Sequence, residues 1–492
     1  MVTQSRKPQK AADRTSRRPL LQRILLAQES GIALVIVLMM ILLTVYSGSK
    51  EDTQRVTVPQ SAEVVTTQGQ FTFTVDGDTK SYAISDGWEL RAVGDKSLLL
   101  RKVTVNKFLN FNNLIQILVF ASFIAIMSVG ITAVISTGGI DLSVGSTYAI
   151  AALFGAIFLR YDWSSGVPSV SALGAGVGGW LGLVAMGVVA VVVAFVMGRK
   201  KNSSTSPTRA GKFGLSLIGI DNIIRLVLAV GVICLLIAGW RLMESVRDGW
   251  DMTNRSTLPI AATLPLAIGV CCFVGGVAGW INGVMIVGLR VHPFIITLGT
   301  MAAYRGLVAL PTKAQTVGDF PASYQGFIKL DIGGVNPVPV LFMVLVALAG
   351  VFVLSRTVIG RQVYAIGGNE VAAKYAGIPV GRVKIIVYTM MGALAGLSAS
   401  LYLGYFGAAE TNAGNGYELR VIAAAVIGGA SLSGGRGSAL GAVLGALLVQ
   451  MIDNAMVILA IDQNYNQIVM GGAIIAAVVL DQVKSRLMAG TR

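Results

Sequence analysis

Apolar runs of roughly 20 residues recur along this chain, each set off by glycine, proline or a cluster of charge, which is the pattern of repeated bilayer crossings. Windows of that length predict about twelve spans, near 30–46, 114–136, 143–160, 173–197, 222–243, 258–281, 293–311, 338–355, 385–406, 418–433, 437–459 and 467–481. Between the first two spans the period changes. In residues 47–107, F-T-F-T-V at 71–75 and S-Y-A-I at 81–84 alternate apolar with polar, and Asp76-Gly77 and Asp86-Gly87 supply turns between them. That segment is expected to be a small extracytoplasmic β insert, serving either as a tolerated cap or as a contact for another protein.

Composition agrees with the pattern, because 54% of the 492 residues are hydrophobic and 13% are charged, too few charges for a soluble surface. The formal charge of +15 is spread between apolar runs rather than along one basic face, so it reads as membrane orientation and not as nucleic-acid binding. Before the first span stand Arg6, Lys7, Lys10, Arg14, Arg17, Arg18 and Arg23 against two acids, Asp13 and, at the span's edge, Glu29. The same sign recurs at Arg199, Lys200, Lys201, Arg209 and Lys212, at Arg356, Arg361, Lys374, Arg382 and Lys384, and at Lys484, Arg486 and Arg492. An even number of spans puts all four clusters, and both termini, on the cytoplasmic side. No A-x-A cleavage signal follows Tyr46, so the first run is expected to stay as an anchor.

The expected organisation is a basic N-terminus (1–29), a first transmembrane helix (30–46), the β insert (47–107) and a first core segment (108–172). An inserted helix pair with a basic linker (173–257) follows, then a second core segment (258–485) holding a cytoplasmic loop at 356–384, and a tail (486–492). Cys234, Cys271 and Cys272 fall in apolar runs and read as small buried side chains, and His292 is the chain's one histidine, so no metal set arises. The Gly211-Lys212 pair lacks the spacing and the Ser or Thr of a phosphate loop, and no ATP site is expected on this chain.

Gly138-Gly139-Ile140-Asp141-Leu142-Ser143 recurs as Gly428-Gly429-Ala430-Ser431-Leu432-Ser433, each copy ending one apolar run and opening another. The chain therefore reads as two related halves with glycine-broken helices at matching places, as in many transporters. Asp141 would be costly if exposed to lipid, by about 2.5–3.5 kcal/mol, so it either caps the following helix or faces a polar path; both remain open. Ser431 occupies the equivalent position and is expected to cap as well. An ion-coupled carrier is the alternative class; it would want paired acids, whereas Asp141, Glu418 and Asp453 are scattered in sequence.

Residues 359–384 contain Asn369 as a helix cap, Glu370 in the first turn, and Gly377 with Pro379 as a stop, which describes a short exposed helix. The order Glu370-x-Ala372-Ala373-x-x-x-Gly377 resembles the coupling loop by which permease subunits of ATP-binding-cassette importers seat in their ATPase. With T-G-G-I-D-L-S-V-G-S at 137–146, W-I-N-G at 280–283, P-F-I-I-T-L-G-T at 293–300, Y-R-G-L at 304–307 and A-A-A-V-I-G-G-A-S-L-S-G-G at 423–435, the chain resembles the ribose, xylose and galactose branch of bacterial sugar permeases. His292 and Arg420 depart from that branch, which usually has a proline and an acidic residue there, and the β insert and extra helix pair depart from its ten-span pattern.

The resemblance implies an all-α polytopic membrane protein of about 12 helices in two related halves, plus the β insert, in the bacterial cytoplasmic (inner) membrane. It implies an ABC ATPase subunit as partner, carrying ATP and Mg that this chain does not bind, together with an extracytoplasmic sugar-binding protein, a second permease copy and surrounding lipid. Candidate path residues are Ser143, Asn282, Thr297 and Asn454, whose hydroxyl or amide groups suit a sugar; each is equally suited to hold helices together.

Overall fold

The computed structural model describes residues 28–160 and 260–472, with Ile475 and Val479, apart from short breaks at 59–61, 63, 68, 76–77, 94–95 and 319–320. The basic N-terminus, the expected helix pair and linker at 173–257 with Cys234, and the C-terminal basic cluster lie outside the described residues. Helix α1 (Gln28–Tyr46) leads into strands β1 (Ser49–Val58), β2 (Val65–Thr67), β3 (Gln70–Val75), β4 (Asp78–Ala83), β5 (Trp88–Val93) and β6 (Lys96–Asn106). Then come α2 (Phe111–Ser136), α3 (Val144–Arg160), α4 (Ile260–Leu289), α5 (Pro293–Thr312), β7 (Val317–Gly318), α6 (Ala322–Ile328) and α7 (Pro337–Arg356). The chain continues through α8 (Val358–Gly368), α9 (Glu370–Tyr375), α10 (Val380–Phe406), β8 (Ala408–Ala409), α11 (Tyr417–Ile427) and α12 (Ala439–Ile458). Seven helices among the described residues, α1, α2, α4, α5, α7, α10 and α12, are long and apolar enough to cross a membrane.

Two expected spans change character. The window at 418–433 is not a continuous span: α11 stops at Ile427 after 11 residues, about 16 Å, half of a hydrocarbon layer of about 30 Å. The apolar count had run on into a glycine-, alanine- and serine-rich loop that is not helical. Of the window at 467–481, residues 466–472 are helical and most of the rest lies outside the described residues. Helix α3 matches its window closely, but at 17 residues it begins inside the bundle, and its side chains are almost all buried.

The bundle is organised on α2, whose 26 residues are the most enclosed of the seven and touch α7, α10, α11 and α12. Beside it, α4 and α10 run against each other over most of their length, at a separation set by glycine. Gly275, Gly279 and Gly283 recur every fourth residue and so share one stripe of α4. A methyl group added to Gly279 would collide with the Tyr388 carbonyl, and one added to Gly275 with the Gly392 carbonyl. Without a hydrophobic drive between helices in lipid, backbone approach of this kind supplies the attraction.

The strands form two three-stranded sheets, in the orders β1-β6-β5 and β2-β3-β4. Val58, Phe73, Trp88 and Leu99 make their small core. Strands β1 and β6 pair antiparallel from Ser49↔Asn106 to Val58↔Ser97, so the segment leaves and returns at one point between α1 and α2. Asn106 closes that point: its amide donates to the Thr44 carbonyl (2.8 Å) and its oxygen accepts from the Phe108 and Leu109 amides (2.9 and 2.7 Å). Helix α1 is otherwise largely exposed along its apolar faces and meets α2 and α12 through Leu43, Ile117, Met451 and Ala455.

Because the α4–α10 seam admits no side chain at Gly279, Gly279→Ala is expected to destabilise the protein by about 1–3 kcal/mol through overpacking. Gly276→Ala, whose added methyl would sit at ordinary contact distance from Ala393 (3.7 Å), is expected to stay within about 0.5 kcal/mol of wild type. Denaturation midpoints of the two variants in detergent check the difference.

Candidate functional site

Where α2 ends, Gly138 adopts the left-handed conformation (φ +78°) that closes a helix with minimal strain only in glycine. Its amide bonds the Ile135 carbonyl (2.8 Å) and that of Gly139 bonds the Val134 carbonyl (3.2 Å). The chain then runs unhelical to Ser143 through apolar surroundings, where each free backbone group needs a partner. The Ile140 carbonyl finds two, the hydroxyls of Tyr388 on α10 (3.2 Å) and Thr297 on α5 (3.4 Å). Asp141 Oδ1 accepts from the amide (2.9 Å) and the hydroxyl (2.7 Å) of Ser143, immediately ahead of α3. Asn282 on α4 in turn donates to the Ser143 hydroxyl at 2.8 Å. Asp141, Ser143, Asn282 and Thr297 thus form one enclosed polar cluster, with Asp141 2% exposed and the other three fully buried.

Asp141 acts here as an acceptor at the start of α3, without an ion-pair partner among the described residues. Asn282 Oδ1 is buried without a hydrogen-bond partner among them. Tyr304 pins α5 to α4 beside this cluster by donating to the Ala278 carbonyl at 3.0 Å. The hydroxyls of Tyr304 and Tyr388 escaped the sequence reading, because both residues look like ordinary core aromatics; only their spacing from the break in three dimensions reveals the role.

The second break has the same closure one residue out of step. Gly429 is the left-handed residue (φ +94°), its amide bonding the Val426 carbonyl (2.8 Å) and that of Ala430 the Ala425 carbonyl (2.9 Å). Gly138 therefore matches Gly429 in geometry although sequence similarity pairs it with Gly428. The expected cap at Ser431 is corrected as well. Ser431 shares a hydrogen bond with Ser433 (2.9 Å) eight residues ahead of α12, and Ser438 caps that helix by accepting from the Gly441 amide (3.2 Å) while donating to Glu29 of α1 (2.8 Å). The intervening loop folds back far enough that the repeated serine is no longer at a helix start.

The two breaks lie against one another. Gly435 donates its amide to the Ser136 carbonyl (3.0 Å), and the Ser136 hydroxyl donates to the Arg436 carbonyl (3.2 Å). Helix α8 joins them through Tyr364, whose hydroxyl donates to the Gly437 carbonyl at 2.8 Å. Gly367 at the end of α8 packs so closely on Ser136 and Gly435 that no side chain fits. From this joint the chain passes directly into α9. Asn369 caps α9 by accepting from the Ala372 amide (2.9 Å), and Gly377 (φ +82°) ends it. Glu370 pairs with Lys384 at the base of α10 (2.8 Å). Ala373 faces inward, Ala372 outward, and Val371 and Tyr375, one turn apart, stand 64% and 89% exposed.

Asn454 does not join the cluster around Asp141. It exchanges two amide hydrogen bonds with Asn113 (2.7 and 3.2 Å), tying the end of α12 to the start of α2. Arg420, which departs from the resembling permeases, is paired with Asp453 (3.0 Å), and Asn466 donates to the same carboxylate (3.0 Å). His292 accepts from the Phe294 amide (3.3 Å) and so caps α5 where a proline was expected. Neither pairing was legible in sequence, since 33 residues separate Arg420 from Asp453 and a capping histidine has no spacing signature.

A family described as branched-chain amino acid transport system / permease component matches residues 224–478. The chain is 42% identical over 213 residues to the D-allose transport system permease protein of Escherichia coli (strain K12), covering 43% of this chain and 65% of that protein, just under two thirds of its length. It is 35% identical over 297 residues to the galactose/methyl galactoside import permease protein of the same strain, covering 55% of this chain and 88% of that protein. It is 37% identical over 233 residues to that strain's ribose import permease protein, covering 46% and 72%. No solved structure matches significantly.

Asp453→Ala leaves the Arg420 charge partly buried and unpaired, and is expected to cost stability near the low end of about 3–5 kcal/mol; Arg420→Leu combined with Asp453→Leu is expected to recover most of it. Asp141→Asn retains an acceptor for Ser143 and is expected to fold normally, whereas Asp141→Leu strands the Ser143 amide at a cost of about 1–3 kcal/mol. Denaturation midpoints of the purified variants check both pairs.

Proposed function

The chain belongs to the branched-chain amino acid transport system / permease component family, and from this premise we infer that it is the membrane subunit of an ATP-binding-cassette importer that carries a monosaccharide, a pentose or hexose, across the bacterial cytoplasmic membrane. The named relatives import allose, galactose and ribose, by their descriptions, which supports a sugar as cargo. The chain itself performs no chemical reaction. ATP and Mg belong to a separate ATPase subunit, an external binding protein delivers the sugar, and a second copy of the permease completes the path within the lipid. The N- and C-termini then lie in the cytoplasm and residues 47–107 outside it.

The observation that carries this reading is the place of α9. It stands exposed with Val371 and Tyr375 uncovered, beside basic residues, and it is continuous through α8 with the joint where both broken helices meet. A short rigid helix gripped by an ATPase can displace that joint as a lever, and the halves of the bundle rock about it. Apolar side chains left in water on so short a helix suit burial in a partner's groove. The ion-coupled alternative gains no support: Asp453 is neutralised by Arg420, and Asp141 is held by Ser143 rather than by a second acid.

Glu370→Lys reverses the charge at the first turn of α9 and sets it against Lys384. It is expected to abolish co-purification of the ATPase and ATP-driven uptake in liposomes while leaving the permease folded, as size-exclusion chromatography checks. Retention of the ATPase after this change would remove α9 as the docking element.

A further inference from the structure

Two buried polar atoms outside the cluster around Asp141 lack a hydrogen-bond partner among the described residues, and both belong to residues packed about the contact of Gly145 with Gly414. Gly145 and Tyr148, three apart on α3, share a face turned toward the loop 410–416 that leads into α11. Gly414 in that loop lies against both the Gly145 backbone and the Tyr148 ring, and the Glu418 carboxylate lies over Gly145. The unpartnered atoms are the Tyr148 hydroxyl, on a residue with no exposure at all, and Oε2 of Glu418. Tyr148 is walled by two aromatic rings, Tyr417 at 5.3 Å and Tyr402 at 5.7 Å between centroids. Arg305 donates to the Ala413 carbonyl (2.7 Å) and lies within electrostatic reach of Glu418, as Glu410 does of Tyr148 and Tyr402.

Each orphaned buried group is costly to the folded chain, and native proteins rarely keep one without use for it. A buried hydroxyl walled by two aromatic rings, with Glu410 in electrostatic reach and the Glu418 carboxylate over Gly145, three residues away on the same helix, has the composition of a small-ligand site: mostly apolar rings with a few polar groups. We propose that Tyr148 and Glu418, with the rings of Tyr402 and Tyr417 and the charges of Glu410 and Arg305, form a sugar-recognition site inside the permease. The ring faces cover the C–H surface of a sugar, the Tyr148 hydroxyl and the Glu418 carboxylate take its hydroxyls, and two carboxylates against one guanidinium repel anions. The contact of Gly145 with Gly414 closes the site in this conformation, and movement of α11 against α3 opens it. The site rests on the sugar-permease reading and adds to it that the membrane subunit itself discriminates among cargoes.

The test uses the whole importer, the permease with its ATPase and binding protein, in liposomes containing ATP, with labelled D-ribose, D-allose and D-galactose as probes. Tyr148→Phe removes only the hydroxyl. It is expected to lower uptake of the transported sugar about tenfold, the equivalent of about 1.4 kcal/mol, with the ATPase still bound. Its denaturation midpoint is expected to be unchanged or higher, because an unsatisfied buried group has gone. Glu418→Gln is expected to lower uptake by at least as much. Wild-type uptake by both variants would overturn the site while leaving the permease reading intact, and so would a fall in midpoint for Tyr148→Phe, since that reveals a structural hydrogen bond. Failure of the wild-type complex to move any of the three sugars would overturn the permease reading and the site together.

Discussion

Backbone amides and carbonyls cannot be left bare in a medium without water, and among its described residues this protein interrupts its helices at 137–143 and at 428–438 inside the bundle. The consequences of satisfying those interruptions account for much of the architecture. At 137–143 the freed groups are taken up by a glycine turn, by Asp141, and by hydroxyls reaching in from α5 and α10. At 428–438 they are taken up by the matching turn, by Ser136 and by Tyr364. Four elements are therefore held where they are because each supplies a bond that the broken segments lack.

That arrangement also ties the breaks to the exposed short helix α9. Ser136 belongs to the end of α2, Gly435 and Arg436 to the second break, and Tyr364 and Gly367 to α8, which runs straight into α9. Packing here is backbone on backbone, with no flexible side chain between to absorb displacement. On the proposed reading a push on α9 reaches both discontinuous helices at once, and α11, about half a membrane long, goes with α12, on which it packs backbone to backbone at Gly428–Gly441 and Ala424–Gly445 and to which the Arg420–Asp453 pair ties it. The aromatic-walled groups around Tyr148 lie on the α3 face turned toward the loop that leads into α11.

The β insert shows the same economy of connection. Full-length pairing of β1 with β6 brings its two ends together, so some sixty residues enter between α1 and α2 without separating them. Loop closure of this sort costs little beyond the first few residues, and the Asn106 side chain secures the neck by bonding both sides of it.

Much of the span pattern was legible because its cause is local: apolar length, flanking charge and the glycine pairs at 138–139 and 428–429 are written in consecutive residues. So was the short capped helix at Glu370–Tyr375, since Asn369 and Gly377 act within a turn of themselves. Other features depend on distance through space rather than along the chain. Sequence alone could name Asp141, Ser143, Asn282 and Thr297 as polar, but only the packing of α4 and α5 onto the first break assembled them, and only the same packing sent Asn454 to Asn113 instead. It also moved the cap of α12 from Ser431 to Ser438 and set the repeat one residue out of register. A left-handed turn must fall on a glycine at the geometric end of its helix, and where each helix ends depends on what it packs against, not on the motif it carries.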